Sequence, residues 1–127
     1  MKEELQKIGI YDLRYNDILD ISYDNLEIYQ SDKGLKAHLI KRKHFNCLQY
    51  IEKTSEIISN PDYIGINPNE KGDSIEFIKK YSENIQVAVK LESKGEYYYV
   101  ATIHDLQESK MKRRLNSGRI IKVDKNT

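Results

Sequence analysis

The chain has 127 residues, of which 39% are hydrophobic and 32% charged, and its formal net charge is +1. This length accommodates one domain with a single hydrophobic core, and no apolar run approaches the roughly 20 residues of a membrane helix. The N-terminal MKEELQKIG lacks the apolar stretch of a signal peptide, and the single cysteine, Cys47, excludes an internal disulfide. We therefore expect one soluble, cytoplasmic domain over residues 1–127, without membrane association.

The N-terminal quarter of the chain has little regular pattern. Residues 1–25 form an extension of unclear structure, in which only Leu5–Ile8 favours a short helix. The next segment, Leu26–Gln30, predicts a short strand, and Ser31–Gly34 has the composition of a turn.

Two helical segments are predicted to follow this turn. The first begins near Leu35 and carries His38. The second buries a stripe of mainly apolar residues that recurs at helical spacing from Cys47 to Ile58. It ends at Asn60-Pro61-Asp62, because proline disfavours helix in the residue before it.

The hydrophobic period changes to two in the second half of the chain. Predicted strands are Tyr63–Ile66, a segment around Ile75 and Phe77, Ile85–Leu91, Tyr97–His104 and Arg119–Val123, with a loop over 67–72. The third and fourth of these should form an antiparallel hairpin, and a basic helix over 106–116, closed by Gly118, should follow. The predicted class is α+β, with N-terminal helices packed on a four- to five-stranded antiparallel sheet.

Positive charge is concentrated in two clusters despite the near-neutral total. One contains Lys110, Lys112, Arg113, Arg114, Arg119, Lys122 and Lys125, and the other contains Lys36, Lys41, Arg42 and Lys43 around His38 and His44. Clustered cations beside histidine suit a surface that binds phosphate. Two solvated helix faces would explain the same pattern.

Histidine is the natural candidate for proton transfer near neutral pH. His38 and Arg42 lie four residues apart and so share a helix face, and Lys41 is nearby. Cations beside His38 should lower its pKa and keep the imidazole neutral, able to act as a base. His44 falls about 120° away on an ideal helix, so both histidines reach one site only if the helix frays or bends near Lys43.

The predicted hairpin carries a second candidate cluster. Strict alternation places Val100, Thr102 and His104 on one side of the strand. Threonine is common in strands for its β-branched shape alone, so its presence is a weak signal. Lys110, with Arg113 or Arg114, could reach this strand end from the following helix.

Other catalytic motifs are missing from the sequence. There is no H-E-x-x-H arrangement, no cysteine partner for Cys47, no P-loop and no G-x-S-x-G elbow. The remaining His, Thr, Tyr, Lys and Arg suit phosphodiester transfer on RNA, in which the substrate supplies its own nucleophile, the 2′-hydroxyl. We expect no metal and no cofactor.

Five ordered segments resemble a known family. They read GLKAHLIKRKHFNCLQYI, EIISNPDYIGINP, NIQVAVKL, YYYVATIHD and ESKMKRRLNSGR. In this order they resemble the phage-type BECR (barnase–EndoU–colicin–RelE-like) nuclease domains. The resemblance covers about Ile28 to Ile121 and implies a compact α+β fold that cleaves RNA without a metal, through a 2′,3′-cyclic phosphate.

The resemblance also implies site residues. By position, His38, Arg42 and His44 match the family's histidine helix, Thr102 matches the strand threonine, and Lys110, Arg114 and Arg119 match the basic end. Catalysis is accordingly predicted for His38, His44, Thr102 and Lys110. Phosphate binding is predicted for Lys41, Arg42, Arg113, Arg114 and Arg119. His104 stands where such domains often have an aromatic residue.

The leading hypothesis is a toxin-like or phage-encoded ribonuclease acting on structured RNA such as tRNA. A non-catalytic RNA-binding module with the same fold is the first alternative. The second is a protein-interaction domain whose basic face binds an acidic immunity- or antitoxin-type partner.

Overall fold

A seven-stranded mixed sheet forms the centre of the computed structural model, which describes residues 4–67 and 74–124. The strands are β1 (Gln6–Ile10), β2 (Glu27–Gln30), β3 (Tyr63–Asn67), β4 (Ser74–Lys80), β5 (Asn84–Leu91), β6 (Tyr98–Leu106) and β7 (Ile120–Lys122). Their spatial order is β1-β2-β6-β5-β4-β3-β7. The helices are α1 (Arg14–Leu19), α2 (Asp32–Lys41), α3 (Thr54–Ser59) and α4 (Glu108–Ser117), and a 3₁₀ helix (Phe45–Lys53) precedes α3.

The predicted α+β class agrees with this architecture. The sheet, however, has seven strands instead of four to five, and it is mixed instead of wholly antiparallel. The two strands β1 and β2 extend it at one edge and β7 extends it at the other. Strand β2 runs parallel to β6, through the partners Ile28–Tyr98 and Tyr29–Tyr99. Because this pairing joins segments about 70 residues apart, no local sequence pattern predicts it.

Two local predictions in the N-terminal third were wrong. Leu5–Ile8 is not helical, because Gln6–Ile10 pairs antiparallel with β2 as strand β1. The predicted turn Ser31–Gly34 is instead the start of α2, since the Ser31 hydroxyl accepts a hydrogen bond from the Gly34 amide at 3.0 Å. Serine is a strong helix N-cap for this reason.

The C-terminal end of α2 reverses the chain through a Schellman motif. Lys43 adopts a left-handed conformation with φ of 62°. Its amide donates to the Ile40 carbonyl at 3.0 Å, and the His44 amide donates to the Leu39 carbonyl at 2.8 Å. These two bonds satisfy carbonyls that the helix end would leave unpaired.

The main core lies between one face of the sheet and the α1, α2, 3₁₀ and α3 segments. Phe77, Val87 and Ile103 from the central strands are fully buried there with Leu39 and Ile57. The predicted hairpin is confirmed: β5 and β6 pair antiparallel, and Val89 is buried. We call the opposite side of the sheet the second face.

Helix α4 covers one end of the second face. It buries Met111 in a smaller cluster with Ile78, Leu106 and Ile120. The helix ends at Ser117, and Gly118 follows in a left-handed conformation with φ of 81°, in agreement with the predicted cap. Within the described residues, no helix is long and apolar enough to span a membrane. Residues 68–72 of the predicted loop, residues 1–3 and Lys125 lie outside the described residues.

A β-bulge in β6 changes which side chains share a face. Ala88 pairs with Thr102 and Val89 pairs with Val100, so Ala101 is an additional residue in β6. Val100 and Ile103 consequently both enter the main core. The prediction that Val100 and Thr102 point to the same side was therefore wrong, because strict alternation does not continue through a bulge.

Candidate functional site

His38 of α2 and Thr102 of β6 form a histidine–threonine pair where the helix meets the strand. The His38 Nε2 atom lies 3.1 Å from the Thr102 Oγ1 atom, although the two residues are 64 positions apart. Both side chains are half-buried. His38 comes from the C-terminal half of α2, and the bulge turns the Thr102 side chain away from the main core. Two of the predicted catalytic residues are thus in direct contact.

His44 reaches the same strand because the Schellman motif ends the helix before it. Its Nδ1 atom lies 3.4 Å from the Ile103 carbonyl oxygen. Its ring packs edge-on against His104, with centroids 4.7 Å apart. The condition set by the sequence, that the helix must end or bend near Lys43, is met. His38 and His44 therefore lie against residues 102–104 of β6, and the last of these residues is the third histidine, His104.

The surroundings of His38 favour its neutral form. Burial is the largest cause that lowers the pKa of His38, followed by the positive charge of Arg42 and then by His44 and Lys41. A neutral imidazole with a free lone pair can accept a proton. Arg42 and Lys41 are both exposed at the end of α2, so their charges also face solvent.

His104 experiences a second set of cations. Burial lowers the pKa of His104 most, and His44, Lys110, His38 and Arg114 lower it further. The predicted residues Lys110 and Arg114 on α4 therefore act electrostatically on the histidine cluster. Arg113, from the same helix, is exposed.

A buried carboxylate organises the arginines at the other side of the site. Glu76 is only 1% exposed. It accepts two hydrogen bonds from Arg119, at 3.1 Å from Nε and 2.7 Å from Nη2. Its Oε2 atom also lies 3.9 Å from Arg114 Nη1, which donates to the Gln86 side chain at 2.6 Å. Gln86 is the cross-strand partner of His104, so the network ends beside the histidines.

The network around Glu76 affects the phosphate-binding role that was predicted for Arg119. The guanidinium of Arg119 is already paired, and its predicted phosphate contact would have to share it with Glu76. Glu76 and Gln86 were not among the predicted site residues. The local pattern carried no signal for Glu76, because alternation in a strand places it on the face opposite Ile75 and Phe77, where a charged side chain is usually solvated.

A family model described as phage-Barnase-EndoU-ColicinE5/D-RelE like nuclease 3 matches residues 6–113. The chain belongs to this family. Neither a comparison with curated proteins nor one with solved structures gave a match. Membership in a nuclease-like family implies a nucleic-acid substrate, and it agrees with the observed α+β fold.

The matched region of this BECR family member includes most of the candidate site. His38, His44, Thr102 and Lys110 lie inside residues 6–113, whereas Arg114 and Arg119 lie beyond them. Over the ranges 4–67 and 74–124, no group of three His, Cys, Asp or Glu side chains is arranged to hold a metal ion.

Proposed function

We propose that this BECR family member is a metal-independent endoribonuclease, toxin-like or phage-encoded, that cleaves RNA through a 2′,3′-cyclic phosphate. The contact between His38 and Thr102, at 3.1 Å on a face rich in cations, is the observation that carries the proposal. A neutral imidazole beside a hydroxyl can deprotonate one oxygen while the hydroxyl binds another.

The reaction requires one proton to be removed and one to be donated. His38 Nε2 would take the proton from the 2′-hydroxyl, and the resulting oxygen would form a bond to phosphorus. The bond from phosphorus to O5′ would then break, leaving a 2′,3′-cyclic phosphate and a 5′-hydroxyl. Protonated His44 would supply the second proton from Nε2, because its Nδ1 faces the Ile103 carbonyl.

Charge develops on the phosphorane oxygens during this step and has to be stabilised. The charges of Arg42 and Lys41 lower the pKa of His38, and those of Lys110 and Arg114 lower the pKa of His104. Cations on two sides of one phosphate would stabilise the transition state without a metal. Thr102 would contact the phosphate or the 2′-hydroxyl. The same basic surface would bind an acidic immunity- or antitoxin-type protein.

Cleavage of a labelled pool of cellular RNA, including tRNA, in excess EDTA tests this function. We expect fragments that end in a 2′,3′-cyclic phosphate, and their formation should be about a hundredfold or more slower with His38→Ala. Binding without cleavage by the wild-type protein would instead indicate a non-catalytic RNA-binding module. Absence of both would leave a protein-interaction domain. Cleavage that EDTA abolishes would refute the metal-independent mechanism.

A further inference from the structure

A groove of about 480 Å³ opens beside His38, between α2 and β6. Its lining combines apolar, aromatic and cationic groups, including Ser31, Leu35, His38, Lys90, Tyr97 and Tyr99. Small-molecule sites typically enclose about 300–1,000 Å³. The groove is therefore large enough for one small ligand, and it is continuous with the candidate catalytic pair because His38 belongs to both.

The tyrosines of the groove belong to a row that crosses three strands of the second face. Tyr99 is the cross-strand partner of Tyr29 in β2 and of Lys90 in β5. The Tyr29 ring packs edge-on against Tyr97, with centroids 5.3 Å apart and planes at 76°. The Tyr29 hydroxyl in turn donates to Glu27 at 2.8 Å. Tyr97 is thus held from one side by a neighbour that is itself fixed.

The position and charge of this row point to a nucleotide. Tyr97 and Tyr99 are half-buried rather than enclosed in the core, so part of each ring is accessible. Bases that are not paired in a duplex stack on such rings, with little dependence on sequence. Lys90 adds a positive charge to the lining, which suits the phosphate attached to a stacked base.

Resting on the proposed function, we propose that this groove binds an unpaired nucleobase of the RNA, next to the phosphate that His38 and Thr102 contact. The enzyme would then act on single-stranded loops or ends, where a base can leave its neighbours. The base would stack on Tyr99 or Tyr97, and Lys90 would bind its phosphate. Tyr99 and Tyr97 are binding residues in this scheme and take no part in proton transfer.

Two oligonucleotide probes separate base stacking from charge. The first is an octamer of adenosine with 2′-fluoro sugars, which lacks the nucleophilic hydroxyl and cannot be cleaved by the proposed route. The second is an abasic octamer with the same number of phosphates. We expect the wild-type protein to bind the first about 5- to 150-fold more tightly than the second, as one stacked base predicts.

Substitutions at Tyr99 and Tyr97 then identify which ring stacks on the base. Tyr99→Leu, or Tyr97→Leu if the base stacks on Tyr97, should reduce the preference for the adenosine probe at least about fivefold and leave the affinity for the abasic probe unchanged. Tyr99→Phe should keep more of the preference than Tyr99→Leu, because it retains the aromatic face. Lys90→Gln should weaken both probes equally. Leu91→Ala is the matched control, an exposed side chain directed to the opposite side of β5, and should change neither affinity.

The outcomes distinguish this inference from the proposed function. If Tyr99→Leu and Tyr97→Leu, both shown to be folded by thermal unfolding, keep the full base preference, the nucleobase site is refuted even when the wild type cleaves RNA. A wild type without base preference refutes it as well. If the preference depends on Tyr99 or Tyr97 but the wild type cleaves no RNA in EDTA, the site stands and the proposed function falls.

Discussion

Replacing Glu76 by glutamine should destabilise the protein strongly. The Glu76 carboxylate is 1% exposed, and it faces the guanidinium of Arg119 at 2.7 Å and that of Arg114 at 3.9 Å. The substitution keeps the shape of the side chain but removes its charge. Two partly buried cations then lose their counter-ion, and breaking a buried pair in this way typically costs about 3–5 kcal/mol.

The lower end of that range applies here. The Arg119 side chain is 32% exposed and can regain water, whereas that of Arg114 is only 12% exposed. The amide oxygen of glutamine can still accept one hydrogen bond from Arg119. We therefore expect a loss of about 3 kcal/mol, which corresponds to a fall in Tm of roughly 10 °C for a domain of this size.

Thermal unfolding followed by circular dichroism at pH 7 measures this effect. Lys7→Gln is the matched control, because it removes an ion pair with Glu27 in which both side chains are 46% exposed. It should leave Tm almost unchanged, since exposed pairs contribute little. The deficit of Glu76→Gln should also persist in 1 M NaCl, because buried charges are screened little. A Glu76→Gln protein as stable as the wild type would refute the view that this carboxylate anchors the arginines.

Four further predictions concern the site and its supports. His38→Ala should lower the single-turnover cleavage rate by about a hundredfold or more, and an RNA affinity that falls equally would contradict a proton-transfer role. Burial and neighbouring cations lower the pKa of His38 and His104 below the unfolded value of 6.5, so the unfolded state binds more protons. Urea unfolding should accordingly show a free energy of unfolding that decreases as the pH falls from about 6.5 through the native pKa values. A greater free energy of unfolding at pH 5 than at pH 7.5 would contradict this. Lys43→Gly should raise stability by about 1 kcal/mol, because glycine adopts φ of 62° without strain, and a lower urea midpoint would refute it. RNA affinity should fall by roughly 0.7 log unit per log unit of salt for each single-strand phosphate contact, as titrations at several salt concentrations would show.

Several elements could be predicted because their signals are local. The alternation of Ile85, Val87 and Val89 defined β5, and Gly118 marked the end of α4. His38 and Thr102 were selected from a helix face and a strand, together with the family resemblance. Their contact at 3.1 Å is a geometric result that no spacing along the chain supplies.

Other elements could not be predicted because their stability comes from distant partners. Gln6–Ile10 has no strong strand pattern of its own and becomes β1 only by pairing with β2. The position of Glu76 between Ile75 and Phe77 is ordinary strand alternation, and its partners Arg114 and Arg119 come from about 40 residues later in the chain. A charged residue in a sheet interior depends on such partners.

By itself, the sequence determined the α+β class, the β5–β6 hairpin, the basic helix and the histidine–threonine candidates, because periodicity and caps act over a few residues. The tertiary structure alone decided the parallel β2–β6 pairing, the bulge at Ala101 and the network around Glu76. The bulge is the most consequential of these, since one additional residue turns Thr102 toward His38 while Val100 and Ile103 stay in the core. Register is a property of two strands together, and neither strand encodes it alone.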